Sequence, residues 1–274
     1  MVPRDTNDRI TTEWGRVYAE NPSVYQIPHP ERIARLGRGD FMTAISKIGL
    51  PTKARVLEAG CGSGRDSLYL ASCGHRVVAL DRFDTPRRHL AAARARYENS
   101  KGPIDLEIVS GDILDLPFAA NEFDLVFNSG VLEHYACSTK RAAIISEMVR
   151  VARHGGLVAI SVPNLHHPFR PVWDVLLSRY TNHDNYDLAE VALTTTELRG
   201  DLDVQGLEVV FCERIDVWET ISHFPRSVAL RGLTMGANFA FPRPMGSIFR
   251  RFGTRLLVCA RKRSRLAPSS DTKD

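Results

Sequence analysis

Residues 55–64 read Arg55-Val56-Leu57-Glu58-Ala59-Gly60-Cys61-Gly62-Ser63-Gly64. The first five make a short, largely apolar run of strand type. The next five hold three glycines, and a helical pattern follows through Ala71. Gly74 stands where a left-handed residue closes a helix. Strand, glycine-rich turn and helix in this order build a turn whose backbone can approach a ligand closely, because glycine puts no Cβ in the way.

Outward from that turn the chain keeps alternating. Arg76–Leu80 is a second strand, ending at Asp81. Thr85-Pro86 opens a helix rich in Ala and Arg, with Thr suited to the N-cap and Pro to the first helical position. Leu106–Val109 and Phe123–Asn128 read as third and fourth strands. Thr139–Ala152 is helical, His154-Gly155-Gly156 reads as its stop, and Leu157–Val162 is a fifth strand. Thr194-x-x-Glu197 matches a capping box opening a helix that ends by Gly206. Leu207–Phe211 and Leu256–Ala260 complete seven strands. Such alternation predicts an α/β fold: a Rossmann-like, seven-stranded, mostly parallel sheet with helices on both faces. An N-terminal helical cap over 1–50 precedes the main domain at 51–265, and 266–274 reads as a disordered tail. Within the domain, 163–193 (an insertion after the fifth strand) and 221–253 read as substrate-cover segments.

The glycine turn discriminates among nucleotides. A dinucleotide fingerprint has G-x-G-x-x-G/A, and counting from Gly60 and Gly62 the third place is Arg65. The pattern here is E-x-G-x-G-x-G. Glu58, just ahead of the turn, would oppose a pyrophosphate and suit a cationic ligand. S-adenosylmethionine, with its sulfonium and ammonium and no phosphate, is such a ligand. Asp81 stands where an acidic side chain can accept from two ribose hydroxyls. Gly111-Asp112-Ile113 follows the third strand, where an aspartate can accept from an adenine amino group beside an apolar flank. A nicotinamide oxidoreductase is disfavoured by Arg65 and Glu58.

Taken in order, VLEAGCGSG (56–64), VVALD (77–81), GDILDLPF (111–118), FDLVFNSGVLEH (123–134) and ARHGGLVAISVPN (152–164) resemble the class I S-adenosylmethionine-dependent methyltransferases. The resemblance is to their small-molecule branch with a type 11-like domain, similar to quinone-biosynthesis methyltransferases, and covers about 110 residues. It implies S-adenosyl-L-methionine as cofactor and in-line displacement at the sulfonium methyl. It also implies that Glu58, Gly60, Gly62 and Gly64 surround the methionine end, Asp81 holds the ribose, Asp112 and Ile113 the adenine, and Asn128 the methyl-proximal side, with Cys61 and Arg82 also among the cofactor-binding residues. A cofactor-binding regulatory or scaffold protein without transferase activity is the alternative. The resemblance fades after Asn164.

His134 falls just beyond the fourth strand, as a general base on an acceptor or as a structural histidine. Tyr18 and Tyr25 belong to an N-terminal lid beside a sulfonium, or to aromatic packing. His166 and His167 follow the fifth strand, where an acceptor pocket is expected. Together with His183 and Asp184 they fit no standard metal-ligand spacing, so no metal is expected.

The chain has 274 residues and a net charge of +4, unevenly divided. Ile221–Ser270 carries ten Arg and Lys and no acidic residue, whereas residues 1–220 sum to −5. Arg243, Arg250 and Arg251 are interleaved there with Phe and Met. This fits an anionic or amphiphilic acceptor, peripheral membrane contact through 221–265, or an exposed arginine face. Nucleic acid is disfavoured: Asn128-Ser129-Gly130-Val131 lacks the Pro-Pro-aromatic signature of amino-methylating enzymes, and there is no Pro-Cys dipeptide. Five scattered cysteines without a CxxC pair, and an N-terminus without signal-peptide layout, predict a cytoplasmic protein with free thiols.

Overall fold

The computed structural model describes residues 6–20, 33, 40–167, 191–215 and 253–263. Tyr25, Arg243, most of the two cover segments and the tail lie outside the described residues.

Among the described residues, helices α1 (Thr6–Glu20) and α2 (Asp40–Ser46) precede the sheet. Then follow β1 (Arg55–Ala59), α3 (Arg65–Ser72), β2 (Arg76–Asp81), α4 (Asp84–Lys101), β3 (Leu106–Ser110) and β4 (Phe123–Ser129). A 3₁₀ turn, Leu132–His134, leads to α5 (Ser138–Val151) and β5 (Ala152–Pro163). The chain closes with α6 (Thr195–Val204), β6 (Leu207–Ile215) and β7 (Arg255–Lys262). The seven strands lie in the order β3-β2-β1-β4-β5-β7-β6. The first five are parallel, and β7 runs antiparallel to both its neighbours.

The central strands are buried along most of their length, as parallel strands covered on both faces must be. Side-chain alternation sorts them into two cores. Val56, Val77, Leu125 and Phe127 pack against α2, α3 and α4. Leu57, Val78, Val126 and Val158 pack against α5 and α6. Thr194 and Glu197 complete the expected capping box: the Glu197 N–H donates to Thr194 Oγ1 at 3.1 Å and the Thr194 N–H to Glu197 Oε2 at 2.8 Å. Such a cap contributes about 1 kcal/mol.

Two local expectations are corrected. Helix α4 begins at Asp84 with Phe83 as its N-cap, so Pro86 stands third in the helix; the Phe83 N–H is taken by Asp81 Oδ1 at 2.9 Å. His154-Gly155-Gly156 does not stop the chain before β5 but lies within it. Ala152 already pairs with Phe123, and an irregularity in register between Phe123 and Leu125 absorbs the extra residues, with Gly155 at φ 76°.

Sheet order places the site. From β1 the chain runs outward to β2 and β3, then returns to the other side of β1 as β4. The crevice beyond the carboxyl ends of β1 and β4 is the switch point where open α/β sheets bind ligands.

Candidate active site

A cavity of about 280 Å³ opens at that switch point. Its floor is the glycine turn. Leu80 carbonyl accepts from both the Gly60 and Cys61 N–H at 2.8 Å, pinning the turn to the end of β2, and the Gly64 N–H closes it onto the Cys61 carbonyl at 2.7 Å. The three glycines have φ of +81°, +49° and +65°, which side chains rarely adopt. Their surroundings differ. A Cβ on Gly60 would meet Val131 at 2.7 Å and one on Gly64 would meet Leu90 at 2.3 Å, whereas one on Gly62 would meet nothing within 4 Å. Gly62 lines the cavity, and the bare backbone is what keeps that space open.

Asp81 lines the cavity beside the turn. Its Oδ2 accepts the Gly62 N–H at 2.8 Å and its Oδ1 the Phe83 N–H at 2.9 Å, so one carboxylate clamps the turn to the start of α4. Burial pushes its carboxyl above the usual range, opposed by those two N–H groups and by Arg87 and Arg82. Each oxygen keeps a lone pair for a further donor. Arg82 lines the cavity too and reaches Asp112 Oδ2 at 3.6 Å. Asp112 is not itself in the wall: its Oδ1 accepts the Leu114 N–H at 3.0 Å, shaping the turn that presents Gly111 and Ile113 to the cavity.

Glu58 and Asn128 stand behind the wall. Glu58 shares the face of Val56 toward α3, and its Oε2 accepts from both the backbone N–H and the hydroxyl of Ser67. It caps that helix from below, and burial, then repulsion from Asp66, raises its carboxyl well above the carboxylate range. Asn128 is fully buried, with Nδ2 donating to Met148 Sδ at 3.3 Å. Gly64 likewise lies under the turn, packed on Leu90.

The opposite wall is aromatic. Tyr18 lines the cavity from α1 and meets Phe83 edge-on, with centroids 4.9 Å apart. His134 lines it from the 3₁₀ turn, 8% exposed, and its Nδ1 is buried without a hydrogen-bond partner among the described residues. Tyr135 follows it, its hydroxyl pushed up to about 12 chiefly by burial. Four further wall residues, Trp14, Arg65, Phe83 and Tyr135, carry no motif. Trp14 had one usable signal: it stands four residues before Tyr18 on a helix, and so on the same face.

His166 and His167 lie outside the cavity. His166 is exposed, and His167 is buried with its N–H on the Asn164 carbonyl at 3.2 Å. Among the described residues no group of His, Cys, Asp and Glu is placed to hold a metal ion, and no helix is long and apolar enough to cross a membrane. The described cysteines, all five, are free thiols.

A doubly wound sheet with a glycine-floored cavity and an acidic clamp at the end of β2 defines a nucleoside-cofactor enzyme of the Rossmann-like class. Comparison with known proteins makes it specific. Residues 57–160 match the family model for a methyltransferase domain. An uncharacterized methyltransferase of Synechocystis is 31% identical over 209 residues, covering 73% of this chain and 88% of that protein. A malonyl-[acyl-carrier protein] O-methyltransferase of Enterobacter lignolyticus is 28% identical over 237 residues, 80% of this chain and 87% of that one. A probable S-adenosylmethionine-dependent methyltransferase of Mycolicibacterium smegmatis is 32% identical over 154 residues, which is 56% of this chain and about half (52%) of the relative's own length. The solved structure of the Burkholderia thailandensis 1,6-didemethyltoxoflavin-N1-methyltransferase, with S-adenosylhomocysteine bound, superposes with a TM-score of 0.59 at 20% identity. It covers 96% of this chain and 92% of that one, a likeness of fold. The chain belongs to the class I S-adenosylmethionine-dependent methyltransferases, and S-adenosyl-L-methionine is its cofactor.

Proposed function

We propose that the protein transfers a methyl group to a small, anionic or amphiphilic acceptor, with His134 as the base. The observation that carries this reading is a histidine in the wall of the same cavity that the glycine turn and Asp81 line. The described wall fits the cofactor: Gly62 leaves open space, Asp81 has lone pairs for two ribose hydroxyls, and Ile113 and Phe83 supply an apolar flank for a flat base. When bound, S-adenosylmethionine supplies an electrophilic methyl group on a sulfonium.

The residues of the chain do the rest. Gly60–Gly62 and Asp81 would hold and orient the methionine and ribose ends. Tyr18 and Trp14 would exclude water from the side of α1. His134 would take the proton of an acceptor hydroxyl, leaving an oxygen nucleophile aligned with the methyl; an acceptor carboxylate, already ionised, would need no base. Alignment supplies the larger share of the acceleration, and the base about 10²–10⁴.

The acceptor's class rests on charge and kinship. The name of the Enterobacter relative places its methyl on an oxygen of a malonyl group, which carries a free carboxylate. The basic stretch of this chain suits an acceptor of that charge, although among the described residues Arg255 and Lys262 serve the fold. Arg255 pairs with Glu133, and Lys262 donates to the carbonyls of Val149 and Ala152 at 2.8 Å. Arg243, Arg250 and Arg251, which lie outside the described residues, would serve the acceptor or peripheral contact with an anionic membrane.

The test is transfer of a tritiated methyl from S-adenosylmethionine into fractions of a cell extract by the protein and by His134→Gln. Label in an anionic or amphiphilic fraction, lowered about 10²–10⁴-fold in the variant with affinity for S-adenosylhomocysteine retained, is the expected result. Label in no fraction would instead favour a cofactor-binding protein without transferase activity.

A further inference from the structure

Beside the turn that carries His134, and outside the cavity wall, lies an ion pair between a buried carboxylate and a half-buried guanidinium. Glu133 is 1% exposed, and its Oε1 stands 2.9 Å from Nη2 of Arg255, the first residue of β7. Ser161 of β5 holds the same guanidinium from another side: Nε donates to its hydroxyl at 3.0 Å and Nη2 to its carbonyl at 2.9 Å. Gly130, in the cavity wall, passes directly over the pair. A Cβ on it would stand 3.7 Å from Glu133 Oε1 and 3.8 Å from Arg255 Nη2.

The same few residues fix the points where the chain re-enters the described fold. The Val191 N–H donates to the Glu133 carbonyl at 2.8 Å. Two residues before Arg255, the Gly253 carbonyl accepts from Asn164 Nδ2 at 2.9 Å, and the Asn164 N–H donates to the Thr254 carbonyl at 2.8 Å. Both returning segments therefore meet the fold beside the turn of His134.

A buried ion pair is a weak source of stability, since well-packed apolar residues of similar volume do as well or better. What a guanidinium supplies that an apolar side chain does not is direction: a planar fork with donors at fixed angles. Here the fork ties one turn to one strand through three acceptor contacts on two residues. We propose that Arg255 and Glu133 are positioning residues for methyl transfer, holding the Leu132–His134 turn, and so the imidazole, at fixed height above Gly130. This rests on the reading of His134 as the base.

The test separates position from stability. Glu133→Met alone and Arg255→Met alone each leave a polar group without its partner and lower Tm. The double variant Glu133→Met/Arg255→Met removes both charges and both polar groups and regains most of that Tm. Arg255→Lys keeps the charge but not the fork. In the double variant and in Arg255→Lys, calorimetric affinity for S-adenosylhomocysteine stays within about twofold, and kcat for tritiated methyl transfer falls at least about tenfold with KM for S-adenosylmethionine unchanged. In both, the imidazole proton resonances of His134, which lie in the ring-current field of Trp14, move. Recovery of wild-type kcat along with Tm in the double variant, or His134 resonances that stay put in both proteins, overturns the proposal. Should the wild type label no acceptor, the reading of function fails on its own evidence, and the resonances still decide this one.

Discussion

Trp14 sets its indole edge-on to the imidazole of His134, with ring centroids 5.0 Å apart and planes at 77°. One comes from the helix before the first strand and the other from the turn after the fourth, so the contact closes the cavity across its mouth. Four residues on, Tyr18 meets Phe83 on the far wall. Helix α1 thus rests on both sides of the crevice by aromatic edges, contacts worth about 0.5–1.5 kcal/mol each beyond their burial.

Trp14→Leu removes one wall of the cavity and its contact with His134. A ring beside a sulfonium is worth about 0.5–2 kcal/mol, so affinity for S-adenosylmethionine should fall roughly 2- to 30-fold. S-adenosylhomocysteine, which has no sulfonium, should lose less. The tryptophan emission change on binding should also largely disappear, although two other tryptophans remain. Equal losses for both nucleosides would remove the cation–π part of the argument, and an unchanged emission response would remove Trp14 from the wall.

Gly62 and Gly64 stand two residues apart in one motif and should fail differently. Gly64→Ala drives a Cβ to within 2.3 Å of the fully buried Leu90, at a positive φ. Left-handed strain and overpacking together cost about 2–4 kcal/mol, seen as a lowered Tm. Gly62→Ala meets no atom and should lower stability by only about 1–2 kcal/mol of left-handed strain. Its methyl stands in the cofactor's space, so calorimetry should show binding lost while the fold persists. The reverse pattern would contradict the placement of the cavity.

The glycine turn and the strands around it were legible because they are local: short apolar runs, left-handed glycines and a polar residue at each strand end. Glu58 illustrates where locality ran out. Coulomb attraction to a cation was a fair argument from type and position, but a strand alternates its faces. Glu58 shares the side of Val56, is not among the residues of the cavity wall, and meets Ser67. Asp112 behaves similarly, shaping a turn whose neighbours Gly111 and Ile113 form the wall. Trp14 and the pair Glu133–Arg255 left no motif, since each exists only through a partner more than a hundred residues away. His154-Gly155-Gly156 misled because a bulge in a paired strand tolerates the glycines that usually end an element.

Asp66, in the first turn of α3, has its carboxyl raised to about 6 by burial, with Arg65 opposing. A carboxyl with a folded value above its unfolded one holds its proton more tightly in the native state. Stability therefore falls as pH rises from about 4 to about 6. In a dry site the displacement is worth about 3 kcal/mol, and at this partly solvated one closer to 1–2 kcal/mol, offset slightly by the helix dipole. Asp66→Asn should raise Tm at pH 7 and leave it unchanged near pH 3.5. A uniform rise across the range would mean that the gain comes from something other than this proton.

Asp81 and Glu58 are both buried acids at the edge of the turn, yet only Asp81 faces the cavity, and the two should separate cleanly on amidation. Asp81→Asn keeps one acceptor oxygen and turns the other into a donor facing a backbone N–H of Gly62 or Phe83. It also removes the charge a ribose diol would bind. Hydrogen bonds to a charged group contribute about 1.5–3 kcal/mol, so cofactor affinity should fall roughly 10- to 150-fold. Glu58→Gln retains a carbonyl for Ser67, and because burial already favours the neutral form of that carboxyl, little electrostatic energy is lost. Its affinity should stay within about threefold of wild type. The decisive measurement is the ratio of the two dissociation constants for S-adenosylhomocysteine. A ratio near one would mean that the clamp at Asp81 serves the turn alone, and that the ribose is held elsewhere.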